Sequence, residues 1–173
     1  GLVGSEMCII DSHNADCFTT VSDITAMECE QLLERRPVVT PNGFEQNFVP
    51  AKGKFLSARE EARGGLLNVA SSLLGYKLPD DTFIVATSGR CEYRNKGIDL
   101  YLDALARLRE LDINRTVLAF VMVPAWVKEP RADLKKALAA KRKSALQNPV
   151  LTHYLNNPDE DPINSRIPGI GFT

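Results

Sequence analysis

Two apolar runs without alternation stand out along the chain: Phe83-Ile84-Val85-Ala86, and Thr116-Val117-Leu118-Ala119-Phe120-Val121-Met122-Val123. Such runs predict strands buried on both faces of a parallel sheet, because alternation arises where only one face is buried. Between them Ile98, Tyr101, Leu102, Leu105 and Leu108 recur at helical spacing, which predicts a helix over 97–111. Pro124 ends the second strand. Strand, helix, strand in this order is a βαβ unit with a right-handed crossover.

The pattern before this unit is weaker. Residues 17–21 are rich in β-formers and predict a short strand. Ser22 then caps a helix running to Arg35, with Asp23 in its first turn and Arg35 and Arg36 in its last, and Pro37 stops it. Val38-Val39-Thr40 is a further strand, closed by the turn Pro41-Asn42-Gly43. Residues 44–54 have no period and read as a crossover, with Phe44, Phe48 and Phe55 expected to pack at a domain seam. Ser57-Ala58-Arg59-Glu60 has the capping-box form, so the next helix is expected to start there and to end at Gly75. Gly64-Gly65 inside it predicts a kink or a close helix contact.

Downstream, residues 128–146 read as one basic helix (Lys135, Lys136, Lys141, Arg142, Lys143). A solvated face is the simpler account, and contact with an acidic partner is the alternative. From Gln147 onward prolines and Asn156-Asn157 signal loops around the short apolar piece 150–155. His153 lies in that piece, with no neighbour in sequence that suggests catalysis.

Composition narrows the classes. With 173 residues, 44% hydrophobic and 25% charged, the chain is ordinary globular material, long enough for a real core. A net charge of −1 gives no general attraction to nucleic acid or anionic membrane. No apolar run is long enough to span a bilayer, and no signal-peptide pattern is present. The four cysteines lack metal-ligand spacing, and a reducing cytoplasm is the simplest setting.

The chemistry concentrates after the first buried run. A polar loop carries Arg90 and Lys96, and Gly97 opens the helix. A strand end, two cations and a helix N-terminus suit phosphate, provided the N–H groups of the 97–101 turn are free. An ordinary surface ion pair between Arg90 and Glu92 explains the same residues equally well. The physics of the sequence leaves these two readings balanced.

The loop also carries a resemblance. Gly89-Arg90-x-Glu92-Tyr93-x-Asn95-Lys96-Gly97 is similar to the signature of the fungal and animal type of glycogen synthase. Residues 18–26 (FTTVSDITA) and 39–43 (VTPNG) resemble further stretches of that family in the same order, so the likeness runs from about Ala15 to about Phe120. The resemblance implies a retaining glucosyltransferase of two Rossmann-like α/β domains (GT-B), each a parallel sheet with flanking helices. Residues 1–43 would be the tail of the N-terminal domain, with 1–10 a foreign leader. Residues 44–173 would begin the C-terminal, nucleotide-sugar-binding domain, making the chain an internal fragment that is inactive alone.

The resemblance further implies that Arg90 and Lys96 are catalytic and hold the donor phosphates, with Gly97 at the same site. Glu92 would form an ion pair that positions Arg90 or Arg94, and Cys91 stands where the family usually has an aromatic residue. The donor would be a nucleotide glucose, UDP-glucose first, taken as substrate. No cofactor or metal is implied, and no nucleic acid or membrane partner. The acceptor would be an α-1,4-glucan, and a homo-oligomeric full-length enzyme is compatible. Two alternatives are a related retaining glycosyltransferase acting on another polysaccharide, and a non-catalytic nucleotide- or glucan-binding module.

Overall fold

The computed structural model describes residues 9–170, and the chain divides into two compact units after Phe55. The expected foreign leader falls mostly outside the described residues.

In the first unit residues 9–14 are helical, and β1 (Thr19–Thr20), α1 (Asp23–Leu33) and β2 (Val38–Val39) follow. The Ser22 hydroxyl accepts from the Thr25 N–H at 3.2 Å, so the cap read from sequence is present. The helix stops two residues earlier than expected because Glu34 turns left-handed, at φ 54°. Arg35 and Arg36 therefore lie outside it. Arg35 instead donates to the carbonyls of Ser12 and Ala15 and lies over the Phe18 ring, while Arg36 pairs with Glu30. β1 and β2 pair in parallel, Thr19 opposite Val38. Ala26 is the buried residue of α1, so this unit has little core.

Residues 46–48 and 52–54 form single 3₁₀ turns. Phe44, Phe48 and Phe55 are exposed, Phe48 at 77%.

α2 (Phe55–Leu74) starts on the last residue of the first unit and runs into the second, so Ser57 sits inside the helix and is not its cap. The helix runs unbroken through Gly64-Gly65, and a Cβ at either position would meet nothing within 4 Å. The expected close contact is absent there. Gly75 does end the helix, at φ 82°, and the backbone of Ala145 presses against it.

β3 (Phe83–Ser88) and β4 (Val117–Met122) pair in parallel along their whole length, from Phe83↔Val117 to Ser88↔Met122. Between them runs α3 (Ile98–Leu108), so the βαβ unit is present. Neither strand is buried on both faces, because the described sheet has two strands and α3 covers it only in part. The core lies where α3 meets α5 (Pro162–Ile170), through Ile98, Leu102, Leu105, Ile163 and Ile170. The chain is thus a mixed α/β protein with small parallel sheets.

The single basic helix expected over 128–146 is replaced by three pieces. β5 (Val127–Pro130) is extended, α4 covers Ala132–Ala139, and turns follow. Arg131 and Ala140, both extended, bracket α4. Lys143 is not solvated as a helix face would be; its ammonium donates to Ser72 Oγ and the Ala137 carbonyl at 2.8 and 2.9 Å. β6 (His153–Leu155) pairs antiparallel with β5, and α5 forms where loops were expected, with Pro168 inside it. Among the described residues no helix is long and apolar enough to cross a membrane.

Candidate functional site

Residues 89–97 join the carboxyl end of β3 to α3, the position at which open α/β sheets gather ligands. Two glycines shape the loop. Gly89 leaves the strand at φ 150° and Gly97 precedes the helix at φ 65°, both conformations that side chains resist.

The turn into α3 is not the open N–H cluster that the sequence suggests. Gly97 N–H donates to the Arg94 carbonyl, and those of Ile98 and Asp99 share the Tyr93 carbonyl. Leu100 N–H donates to Asp99 Oδ1 at 2.9 Å, and Tyr101 N–H to the Gly97 carbonyl. The turn closes on itself, and the Asp99 carboxylate already occupies the positive end of the helix dipole. At the strand end the picture differs. The pairing of Ser88 with Met122 carries the Gly89 N–H onto the Met122 carbonyl, while Arg90 and Cys91 find no backbone acceptor for their N–H groups among the described residues.

The two cations differ in their surroundings. Arg90 Nη1 lies 3.0 Å from Glu92 Oε1, with its side chain 75% exposed, so the ion pair is made in solvent. Glu92 also accepts weakly from Asn95 Nδ2 at 3.5 Å. The carboxylate thus holds Arg90 beside the loop and braces it from within. Lys96 is exposed. Cys91 turns inward against the α3–α5 core, where burial first and the nearby Asp161 second raise its thiol pKa. A thiol in that state packs as a small apolar group.

Concavity lies elsewhere. An apolar cleft of about 660 Å³ opens between α2, β4 and β6, lined by Leu73, Leu105, Phe120 and Leu151 among others. A polar hollow of about 540 Å³ at the amino end of β3 is lined by Arg59, Arg63, Asp80 and Arg115. Arg90 and Lys96 line neither. No group of three or more His, Cys, Asp or Glu among the described residues is placed to hold a metal ion. Sequence reasoning passed over Arg131 and Trp126. Arg131 is only 5% exposed, and Trp126 is 81% exposed. A single residue of either type carries no periodic signal.

Comparison with known proteins covers most of the chain. The sequence profile of the glycogen synthase family matches residues 6–131, beginning inside the stretch expected to be foreign. The glycogen [starch] synthase of Neurospora crassa is 37% identical over 122 residues, 66% of this chain and 17% of that protein. Isoform 2 of glycogen [starch] synthase from Saccharomyces cerevisiae is 36% identical over 148 residues, 80% of this chain and 21% of that protein. The Dictyostelium discoideum glycogen [starch] synthase is 40% identical over 124 residues, 66% of this chain and 14% of that protein. The chain thus spans about a fifth or less of the length of these relatives. It belongs to the glycogen synthase family.

Proposed function

We propose that this chain is part of a retaining GT-B glucosyltransferase that moves glucose from a nucleotide sugar, UDP-glucose in the first place, to an α-1,4-glucan. Residues 44–173 begin the donor-binding Rossmann-like domain and residues 1–43 close the acceptor-side one. The division of the chain into two compact units supports separate packing of the two sides.

The observation that carries the reading is the 89–97 loop at the carboxyl end of β3, with Arg90 and Lys96 both exposed on it. As the bond between the anomeric carbon and the diphosphate breaks, the electron pair moves onto the phosphate oxygens. Fixed donors aimed at that charge stabilise the transition state more than the ground state. Arg90 offers a planar fork to two oxygens and Lys96 a compact charge to a third. The N–H groups of Arg90 and Cys91 complete the cradle, in place of the α3 turn and its Asp99. Arg90 must exchange Glu92 for phosphate, a small cost for an exposed pair worth about 0–1 kcal/mol.

The test is phosphorus-31 NMR of UDP-glucose titrated with the chain. Both phosphate resonances should broaden, and Arg90→Ala or Lys96→Ala should restore sharp lines. Equal broadening by wild type and both variants would remove the loop from the donor site.

A further inference from the structure

Two side chains of the 89–97 loop leave the surface. Cys91 and Tyr93 pack against the apolar cluster that α3 and α5 share, while Arg90 beside them stays 75% exposed. Tyr93 also closes the loop through its backbone, since its carbonyl accepts the Ile98 and Asp99 N–H groups. The loop therefore rests in part on α5, an element far downstream in the chain.

α5 is fastened to α3 at two places. Arg166 Nη2 donates to Asp103 Oδ1 at 2.5 Å, across 63 positions of sequence. Arg109 Nη1 donates to the Ile170 carbonyl at 2.6 Å. At the start of α5, Asp161 Oδ1 accepts from the Asn164 N–H at 2.7 Å and caps the helix. The same carboxylate reaches the loop, where its charge adds to burial in raising the Cys91 thiol pKa. The Asp103 hydrogen bond first, and the Tyr93 phenol after it, act to raise the Arg166 pKa, so Tyr93 lies within electrostatic reach of Arg166.

We infer that α5 is the positioning element of the 89–97 loop: Arg166, by tying α5 to Asp103, holds Cys91 and Tyr93 in place, so that the Arg90 guanidinium and the N–H groups of Arg90 and Cys91 keep one aim. Arg166 is a positioning residue, acting through the loop and touching no substrate. The inference rests on the proposed function, which gives that aim its use at the donor phosphates.

Two magnitudes separate positioning from plain stabilisation. The Arg166–Asp103 pair is made in solvent, with side chains 44% and 50% exposed, and such pairs add little to global stability. A reacting group misplaced by about 1 Å can cost ~10²-fold in rate, even from a change far from the chemistry. The pair thus has small leverage on folding and large leverage on the loop.

The test is steady-state kinetics of the full-length enzyme carrying this segment, with Arg90→Ala, Arg166→Ala, Arg166→Lys and the double variant Arg90→Ala/Arg166→Ala. Arg166→Ala should lower kcat roughly tenfold, less than a 1 Å displacement would because the apolar contacts remain, and leave the KM for glucan unchanged. Arg166→Lys keeps a charge for Asp103 and should recover most of the loss. Thermal melting should be the same for wild type and both Arg166 variants. In the double variant the two losses should combine less than additively, because both pass through one loop. Turnover of Arg166→Ala within about twofold of wild type, a kcat loss matched by a fall in melting temperature, no recovery in Arg166→Lys, or full additivity would overturn the positioning role. Normal turnover of Arg90→Ala would instead sink the donor reading, and the positioning role with it.

Discussion

The guanidinium of Arg131 and the carboxylate of Asp133 meet as a fork, Nε to Oδ1 at 3.1 Å and Nη2 to Oδ2 at 2.7 Å. The same guanidinium donates to the carbonyls of Gln147, Asn148 and Leu151 at 2.6, 2.6 and 2.9 Å. One buried arginine thus fastens the start of α4 to the segment that leads into β6. Without it three backbone carbonyls lose a charge-assisted donor.

Replacing Arg131 by Met should cost about 3 kcal/mol, because the partners left behind lose charge-assisted bonds. Urea denaturation should show a lower midpoint at an unchanged slope. Arg131→Lys should recover only part, since an ammonium cannot make the fork.

The same pair sets a pH dependence. The hydrogen bond from Arg131 holds the Asp133 carboxyl below its ordinary pKa. A depressed folded pKa means that the stabilisation is complete above the unfolded value of about 3.9 and fades as pH falls through the folded value. Wild type should therefore lose stability on acidification below about pH 4 by more than Asp133→Asn does. Parallel losses in thermal melts of both proteins would refute the linkage.

How far the sequence revealed the fold can be read at particular residues. Ser22 and Gly75 acted as expected because caps are local: a hydroxyl three residues from its N–H, a glycine at positive φ. The βαβ unit from Phe83 to Met122 followed from hydrophobic periodicity. Reading burial on both faces into those strands failed because burial depends on neighbouring strands, which periodicity does not count. The basic stretch after Lys128 misled because charge alone looks helical; the fork of Arg131 and the reach of Lys143 to Ser72 are long-range contacts. α5 was missed because Pro162 and Pro168 read as breakers, although proline is tolerated in a helix's first turn. In the 89–97 loop the pairing of Glu92 with Arg90 was legible. The closing of the 97–101 turn by Tyr93 and Asp99 was not, since it depends on how the loop folds back.

Glycines in and after α2 should respond in opposite directions. Gly64→Ala and Gly65→Ala should each stabilise by about 0.5–1 kcal/mol, since the helix gains propensity and no atom stands in the way. Gly75→Ala should destabilise strongly, because its Cβ would lie 2.0 Å from the Ala145 nitrogen at a φ of 82°. Melting temperatures of the three variants measure this directly.

Tyr101 carries its hydroxyl into the interior, where it faces the Phe120 backbone without a well-formed hydrogen bond among the described residues; burial raises its pKa and the Phe120 backbone opposes that rise. Tyr101→Phe removes an unsatisfied group at nearly constant shape. It should stabilise by about 1 kcal/mol. A melting temperature at or below wild type would show that the hydroxyl is satisfied in solution.

The most direct test of the donor-phosphate assignment is steady-state kinetics of Arg90→Ala and Lys96→Ala in the full-length enzyme carrying this segment. If the proposed function holds, both charges act on the leaving diphosphate, and each substitution should lower kcat by ~10²–10³ and leave the KM for glucan near wild type. Turnover within a few-fold of wild type, or a loss confined to glucan KM, would contradict the assignment of the 89–97 loop to the donor phosphates.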